Sequence, residues 1–238
     1  MKSISVIVPT YQHATTIAKC LDGIFHQTKK PDEVIVVNDG STDNTLEVLK
    51  PYLDKIVLVN KKNDDGNPNP TRNLGFEKSH GDLVIFCDAD VIMKSDMLEK
   101  LYNILEAHPE ASYAYSGFRF GWKAFSSFPF DVGRIRKLNF VHTSALIRRE
   151  DFPGFDPVIK RFQDWDLWLT MMEQGHIGIF VNEELFQVID AHGRKNISKW
   201  RPSLFYRIPW EKLGWYPPSV KKYTEAKKII IKKHKLEI

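Results

Sequence analysis

The sequence of 238 residues predicts an α/β fold in which helices cover both faces of a mainly parallel central sheet. Short apolar runs rich in Val and Ile alternate with segments whose apolar residues recur at three- and four-residue spacings. Apolar residues make up 42% of the chain and charged residues 27%, as in an ordinary globular protein. We expect one folded unit over residues 1–200, followed by a basic, aromatic-rich tail over residues 201–238.

The first two predicted strands enclose an amphipathic helix. Residues 4–8 form an apolar run rich in β-branched residues, and residues 33–37 repeat this pattern. Between them, the apolar residues of segment 15–27 fall on one face of a helix. The turn at 38–43 then leads into a further helix that begins near Asn44.

Strands and helices continue to alternate in the next part of the chain. Residues 55–60 and 82–87 are predicted strands, and residues 70–79 and 94–107 are predicted helices. Strands that alternate with helices need crossover connections, which favour parallel pairing. Since parallel strands end at the same edge of a sheet, we expect the polar segments that follow them to converge there.

The pattern changes in the second half of the chain. The aromatic-rich segment 113–130 is predicted to form a strand and a long loop. Residues 141–148 are a predicted strand, residues 165–174 a helix, and residues 177–189 one or two further strands.

The cysteine content and the apolar runs indicate the cellular compartment of the protein. Cys20 and Cys87 both lie within predicted elements, so we expect buried free thiols and a reducing compartment. The apolar run near Met1 is too short for a signal peptide, and no stretch of about 20 apolar residues follows. We expect a cytoplasmic protein, or one that contacts only the inner face of the membrane.

The basic residues are concentrated in the tail. Residues 201–238 hold ten Lys/Arg and three Glu, whereas residues 1–200 hold 24 basic and 27 acidic residues. A nucleic-acid-binding protein would carry its basic residues on the recognition domain, so we expect no nucleic-acid partner. Lysines interleaved with aromatic residues suit an anionic membrane surface. The alternative is an ordinary packed terminal segment with a solvated, lysine-rich end.

Two carboxylates follow the predicted strand 82–87. Asp88 and Asp90 are separated only by Ala89 and stand at the carboxyl end of that strand, at the edge of the predicted sheet. One carboxylate could contact a nucleotide sugar while the other binds a hard divalent cation, which prefers oxygen ligands. The alternative is a solvated acidic turn.

Several segments in a set order resemble those of family 2 glycosyltransferases, and the resemblance covers roughly residues 3 to 195. These segments are Val-Ile-Val-Pro-Thr-Tyr at 6–11, Val-Val-Asn-Asp-Gly-Ser-Thr-Asp at 36–43, Thr-Arg-Asn-Leu-Gly at 71–75, Asp-Ala-Asp at 88–90, Phe-Asp at 155–156, and Gln-Asp-Trp-Asp-Leu-Trp at 163–168. The resemblance implies the GT-A fold, which is Rossmann-like and has three α/β/α layers. It also implies a metal-dependent, inverting transfer of a sugar from a nucleoside diphosphate sugar, UDP-linked by expectation, to a hydroxyl of a carbohydrate or lipid-linked acceptor. Residues 1–92 would bind the nucleotide and residues 93–200 the acceptor, in the synthesis of a cell-surface polysaccharide or glycolipid.

The resemblance assigns a nucleotide-binding set. Pro9, Thr10 and Tyr11 would line the base, Asp39 would accept a hydrogen bond from it, and Arg72 would close its pocket. A uracil-type base offers an imide N–H to a carboxylate and a ring face to an aromatic side chain. The alternatives are a turn-stabilising role for Asp39 and a surface packing pair for Tyr11 and Arg72.

The resemblance also assigns a metal site. Asp88 would contact the nucleotide sugar, while Asp90 and His192 would bind Mn²⁺ or Mg²⁺. Imidazole is a competent ligand for manganese. The alternative for His192 is a surface or capping residue.

The catalytic base is assigned to Asp164, the second residue of a Gln-Asp pair that stands where the family has Glu-Asp. A base is needed because an acceptor hydroxyl is a poor nucleophile until its proton is withdrawn. Asp164 and Asp166 could also cap the helix that follows, and their roles could be exchanged. Thr170 stands where the family often has Arg, and Pro153 begins a turn that differs from the family pattern, so we expect acceptor recognition to differ.

Two other classes compete with this interpretation. A nucleotidyltransferase would carry a glycine-rich, basic phosphate loop after its first strand, but residues 9–16 contain no Gly, Lys or Arg. A non-catalytic nucleotide-sugar-binding module would lack a base, and Asp164 counts against it.

Overall fold

The computed structural model describes residues 1–63, 66–125, 127–189, 208, 210 and 217–237. Within these residues, nine strands form one sheet: β1 (Ile4–Thr10), β2 (Glu33–Asp39), β3 (Val57–Lys61), β4 (Leu83–Phe86), β5 (Val91–Met93), β6 (Tyr113–Phe120), β7 (Lys123–Phe125), β8 (Leu146–Arg148) and β9 (Gly178–Val188). The helices of the described residues are α1 (Ile17–Phe25), α2 (Thr45–Leu49), α3 (Pro68–Lys78), α4 (Met97–Ala107), α5 (Val132–Ile135), α6 (Gln163–Glu173) and α7 (Pro218–Lys233).

The sheet is mixed, with the strand order β3-β2-β1-β4-β8-β6-β9-β5 and with β7 paired to β6. The first four strands pair in parallel, as the alternation of strands and helices predicts. In the second half, β8 runs antiparallel to both β4 and β6, while β6 and β9 are parallel. The prediction of an α/β fold is confirmed, and its parallel part lies mainly in the first half of the chain.

Alternating residues of the strands pack on opposite faces of the sheet. In β1, Ile4, Val6 and Val8 join the hydrophobic core under α1 and α4. Ile7 points the other way and joins the core under α3, α5 and α6. Two buried cores on the two faces of one sheet are the three-layer arrangement that the sequence predicts.

One glycine brings α3 close to the sheet. A Cβ atom on Gly75 would lie 2.4 Å from Ile7 Cγ2 and 3.1 Å from Val37 Cγ2. Ile7 and Val37 are fully buried, so neither can easily move away. A larger residue at this position would therefore push α3 off the strands whose ends carry the candidate nucleotide site.

Several strand boundaries differ from the sequence prediction, those of β2 and β8 among them. β2 continues to Asp39 because its last residues pair in register with β3, which opposes Asp39 to Lys61. β8 begins at Leu146 rather than at residue 141, and before it the Val141 carbonyl accepts a hydrogen bond from Trp168 Nε1 at 2.9 Å. Apolar runs in the sequence do not reveal which backbone groups form hydrogen bonds outside the sheet.

Helix α7 packs against α6 rather than extending away from the domain. Ile230 of α7 and Leu236 join a small buried core with Trp165 and Leu169 of α6. Of the predicted tail, the structure describes 208, 210 and 217–237, and this last part is packed as the terminal-segment interpretation expects. No helix in the described part of the chain is long and apolar enough to cross a membrane.

Cys20 and Cys87 are buried and free, as predicted. Their Sγ atoms lie 3.7 Å apart between α1 and the end of β4. Burial in this setting and the neighbouring Cys20 raise the pKa of the Cys87 thiol.

Candidate active site

The carboxyl ends of β1, β2 and β4 converge at one edge of the sheet, as the sequence predicts. Thr10 at the end of β1 lies opposite Asn38 of β2 in the parallel register. The Cys87 N–H, just after β4, donates to the Ile7 carbonyl at 2.8 Å. The loops that carry the predicted nucleotide-binding residues therefore start from neighbouring strands.

The first loop is organised around His13, which is buried. Its Nδ1 atom lies 3.3 Å from Thr10 Oγ1 and accepts the Tyr11 N–H at 3.2 Å. Its own backbone N–H donates to Thr45 Oγ1 of α2 at 2.9 Å. Thr10 is thereby buried, whereas Tyr11 is 37% exposed.

Asp39 lies at the end of β2 and its side chain is buried. The carboxylate accepts from Lys61 Nζ at 2.6 Å and from Asn63 Nδ2 at 3.2 Å. Gly40 follows with a φ of 67°, and a Cβ atom there would lie 2.9 Å from the Asn63 backbone nitrogen. Glycine suits this turn because it adopts positive φ easily and permits this approach. In the described residues, these partners hold the Asp39 carboxylate.

Arg72 and Asp88 form an ion pair at the centre of the site. Arg72 Nη2 lies 2.8 Å from Asp88 Oδ1, and the Arg72 side chain is almost fully buried. Arg72 Nη1 also donates to Asn69 Oδ1 at 3.3 Å, and the guanidinium lies 5.2 Å from the centre of the Phe155 ring. Burial alone would raise the pKa of Asp88, but the Arg72 guanidinium and nearby imidazoles outweigh it and lower that pKa. Asp88 is therefore an anion at neutral pH.

Beside Arg72, side chains of helix α3 form hydrogen bonds with the second half of the chain. The Asn73 side chain donates to the Phe155 carbonyl at 2.8 Å and accepts the Phe155 N–H at 2.9 Å. Asn69 Nδ2 donates to the Asp156 and Ile159 carbonyls at 2.8 and 3.1 Å. These bonds explain why the Thr-Arg-Asn segment lies next to Phe155-Asp156, although more than 80 residues separate them.

Asp90 is the last residue of the short link between β4 and β5. Its carbonyl accepts the Ile189 N–H at 2.8 Å, so the strand that leads toward residue 192 ends beside it. His192 itself lies outside the described residues. Among the residues that the structure describes, no group of three or more His, Cys, Asp or Glu side chains is arranged to hold a metal ion.

The two aspartates of α6 face different parts of the molecule. Neither is the N-cap, which is Phe162 in the left-handed region at φ 59°. Asp164 Oδ2 accepts from Asn139 Nδ2 at 2.7 Å, and Oδ1 accepts the Trp165 N–H at 2.9 Å. Asp166 is buried against α7, where its Oδ1 atom lies 2.7 Å from Lys233 Nζ and 2.9 Å from His234 Nε2.

The pKa of Asp164 is raised by burial. His142, the Trp165 N–H, Arg72 and Asn139 all act in the opposite direction, but their combined effect is smaller than that of burial. A carboxylate with a raised pKa holds a proton more strongly than an ordinary aspartate does. This property suits a group that accepts a proton during a reaction.

Among the residues of the site that were not predicted from the sequence are His13, Asn139 and His142. His13 organises the first loop and Asn139 holds Asp164. Burial lowers the pKa of His142, which is close enough to Asp88 and Asp164 for both carboxylates to oppose that shift. Isolated polar residues in loops follow no periodicity, so no pattern in the sequence marks them.

Known proteins resemble this chain in sequence. The family model "Glycosyl transferase family 2" matches residues 5–154. The glycosyltransferase EpsE of Bacillus subtilis is 30% identical over 216 residues, which cover 82% of this chain and 77% of that protein. Four longer relatives, two of them poly(ribitol-phosphate) glycosyltransferases by name, are matched over only 14–34% of their own length.

Solved structures share the fold. Staphylococcus aureus TarS (residues 1–349) in complex with UDP-GlcNAc superposes with a TM-score of 0.68 at 20% identity, covering 86% of this chain and 64% of that one. The mannosyltransferase PcManGT of Pyrobaculum calidifontis, in complex with GDP-mannose and Mn²⁺, gives a TM-score of 0.63 at 21% identity, covering 96% and 70%.

Proposed function

Because the chain belongs to glycosyltransferase family 2, we propose that it transfers a sugar from a UDP-linked donor to an acceptor hydroxyl with inversion at the anomeric carbon. The observation that carries the proposal is that two carboxylates of the site, Asp88 and Asp164, lie in different surroundings. Asp88 is an anion held by Arg72, and Asp164 is a carboxylate of raised pKa held by Asn139. Separate environments for two carboxylates are typical of sites that assign them different roles.

The nucleotide is proposed to bind in residues 1–92. Thr10 and the partly exposed Tyr11 follow Pro9 at the end of β1, where the Tyr11 ring would offer an aromatic face to a base. Asp39 is proposed to accept the imide N–H of uracil. Its oxygens already accept from Lys61 and Asn63, but a carboxylate has about four acceptor sites, so the capacity for another bond is present.

Arg72 is proposed to lie at the edge of the base pocket, where it binds Asp88. Its guanidinium is engaged with that carboxylate, so its main contribution would be to orient Asp88 toward the nucleotide sugar. A bidentate or fork-like cation is well suited to hold a carboxylate in one direction.

A divalent cation, Mn²⁺ or Mg²⁺, is proposed to bind at Asp90, with His192 as a second ligand. The donor chemistry fits, because carboxylate oxygens suit hard cations and such ions are commonly held by one or two carboxylates plus phosphate oxygens. A site completed by the substrate also agrees with the lack of a three-ligand cluster among the described residues. When bound, the ion would offset the negative charge that develops on the departing diphosphate.

Asp164 is proposed to be the catalytic base. It would take the proton of the acceptor hydroxyl as that oxygen forms a bond to the anomeric carbon and the bond from this carbon to the diphosphate oxygen breaks. The products would be the glycosylated acceptor, protonated Asp164 and the nucleoside diphosphate. Asp166 is unsuited to this role because Lys233 and His234 already bind its carboxylate.

The acceptor is proposed to be a carbohydrate or lipid-linked chain that binds over residues 93–200, in the synthesis of a cell-surface polymer. A peripheral contact with an anionic membrane is proposed through α7, whose exposed face carries Lys221, Lys222, Lys228 and Lys232. The half-exposed Ile229 lies on the same face and could enter the interface.

The test is an assay of nucleoside diphosphate release by the purified protein with UDP-glucose, UDP-galactose, UDP-N-acetylglucosamine and GDP-mannose, each with Mn²⁺ or Mg²⁺. We expect release from a UDP-sugar, and less release from the Asp164→Asn variant. Formation of pyrophosphate from UTP and a sugar 1-phosphate would instead support a nucleotidyltransferase. Tight UDP-sugar binding without turnover, in the presence of a range of glycan acceptors, would support a binding module.

A further inference from the structure

The segment that joins α5 to β8 crosses the site with its backbone held in place. Within this segment Asn139 donates to Asp164, and the carbonyl of the next residue, Phe140, accepts from Ser127 Oγ at 2.7 Å. The Val141 carbonyl accepts from Trp168 Nε1 at 2.9 Å, and Trp168 is fully buried in α6. The residue that follows, His142, therefore starts from a backbone with little freedom to move.

The imidazole of His142 is also held in one orientation. Its ring centre lies 5.0 Å from that of Phe118 and 4.9 Å from that of Phe186. Its Nδ1 atom accepts the backbone N–H of Ser144 at 3.1 Å. A ring nitrogen that accepts an N–H carries no proton, so the proton of the neutral imidazole lies on Nε2.

His142 is neutral at physiological pH. Burial lowers its pKa, and the Arg72 guanidinium acts in the same direction. Asp88 and Asp164 oppose this shift but do not overcome it. Among the described residues, Nε2 has no hydrogen-bond partner, so its N–H is available to a ligand.

We propose that His142 positions the transferred sugar by donating a hydrogen bond from Nε2 to a hydroxyl group of the donor hexose. The inference rests on the proposed function and adds a sugar contact to it. His142 lies in the electrostatic range of both Asp88, which faces the nucleotide sugar in that proposal, and Asp164, which faces the acceptor. The transferred sugar must occupy the space between these two groups.

A neutral N–H donor suits this position. A cation beside the sugar would oppose the positive charge that builds at the anomeric carbon as its bond to the diphosphate breaks. A neutral imidazole can bind a hydroxyl without that penalty, and it leaves proton removal to Asp164. His142 is thus a positioning and specificity-determining residue, and the base assignment is unaffected.

The chain offers a matched pair of variants. His142→Phe keeps an aromatic ring in contact with Phe118 and Phe186 but lacks the N–H donor. His142→Gln restores a side-chain N–H donor at a similar distance from the backbone. Each variant is compared with the wild type on the best UDP-sugar of the four-donor panel and on its 3-, 4- and 6-deoxy analogues.

We expect the wild type to use one deoxy analogue about 10- to 100-fold less efficiently in kcat/KM than the parent donor, since a donor N–H is left unpaired. His142→Phe should lose a similar factor with the parent donor and show no further loss with that analogue. His142→Gln should recover part of the discrimination. The dissociation constant for UDP, which lacks the sugar, should be the same for all three proteins.

Other outcomes would overturn the inference. It is wrong if His142→Phe discriminates against each deoxy analogue as strongly as the wild type, or if its UDP affinity falls as much as its activity. If His142→Phe does not fold, the same comparison is made with His142→Gln and His142→Asn. A sugar contact is rejected if both variants discriminate against the deoxy analogues as strongly as the wild type while their overall rate is reduced. A wild type without turnover of any donor would instead reject the proposed function on which the inference rests.

Discussion

Asn139 Nδ2 donates a hydrogen bond to Asp164 Oδ2 at 2.7 Å, across 25 residues of sequence. The bond holds the carboxylate from the side of α5, while the Trp165 N–H holds its other oxygen. A base must face its substrate in one orientation to act efficiently. This hydrogen bond also distinguishes Asp164 from Asp166, whose carboxylate faces α7.

Replacement of Asp164 by Asn should abolish most turnover while preserving the fold. Asn cannot take a proton at neutral pH, and general-base catalysis contributes about 10²–10⁴-fold in rate. Because burial raises the pKa of Asp164, its ionised form is disfavoured in the folded state, so a neutral residue should not lower the melting temperature. The check is kcat together with thermal unfolding and UDP affinity.

Asp166→Asn is the matched control, since it changes the other aspartate of the same helix. It should lower stability through its contacts with Lys233 and His234 but keep turnover at permissive temperature. The base assignment is wrong if Asp164→Asn stays active, and it moves to Asp166 if turnover disappears only in the second variant.

Removal of divalent metal, or Asp90→Ala, should abolish sugar transfer, because the charge on the departing diphosphate is then uncompensated. The measurement is nucleoside diphosphate release with Mn²⁺, with Mg²⁺ and in chelator, for the wild type and the variant. UDP binding in chelator should be similar for both proteins. Full activity of either protein in chelator would contradict a metal requirement.

Asp39→Ala should weaken UDP binding about tenfold or more and change kcat much less, because the loss of one charged hydrogen bond affects bound nucleotide in every state. The preference for UDP over CDP should also fall, since cytosine lacks the imide N–H. Lys61→Gln is the control, because Lys61 binds the Asp39 carboxylate. If Lys61→Gln weakens UDP binding as much as Asp39→Ala does, the Asp39 carboxylate supports the local structure and does not bind the nucleotide base.

The contact of His234 with α6 should make stability depend on pH. His234 faces Asp166 and Glu173, and next to it Lys233 binds Asp166 and Asp156. Burial acts to lower the pKa of His234, but its hydrogen bonds to Asp166 and Glu173 outweigh burial and raise it. The stabilisation is therefore complete below the ordinary histidine pKa and is lost as pH rises through the raised value.

Urea unfolding between pH 5 and pH 9 measures this effect as the difference in unfolding free energy between the wild type and His234→Asn. The difference should be largest at the acidic end and shrink toward the alkaline end. Glu173→Gln should reduce the size of the change. A difference that is constant with pH would show that His234 contributes packing alone.

The sequence by itself determined the α/β class, the order of the elements and the family. These properties depend on local signals, such as the two-residue alternation in β1 that sends Ile7 to one face and its neighbours to the other. The motifs after β1, β2 and β4 could also be located, because each is a short run at the end of a predicted strand. Element boundaries were less well predicted where pairing with a neighbour extends a strand, as at Asp39.

The tertiary structure decided which groups meet. Nothing local distinguishes Asp164 from Asp166, since both lie in the first turn of α6. Their surroundings come from Asn139 on one side and from His234, 68 residues later, on the other. The ion pair of Arg72 with Asp88 and the contacts of the His142 ring with Phe118 and Phe186 have the same origin. Such contacts depend on how whole helices and strands pack, and periodicity along the chain carries no information about that packing.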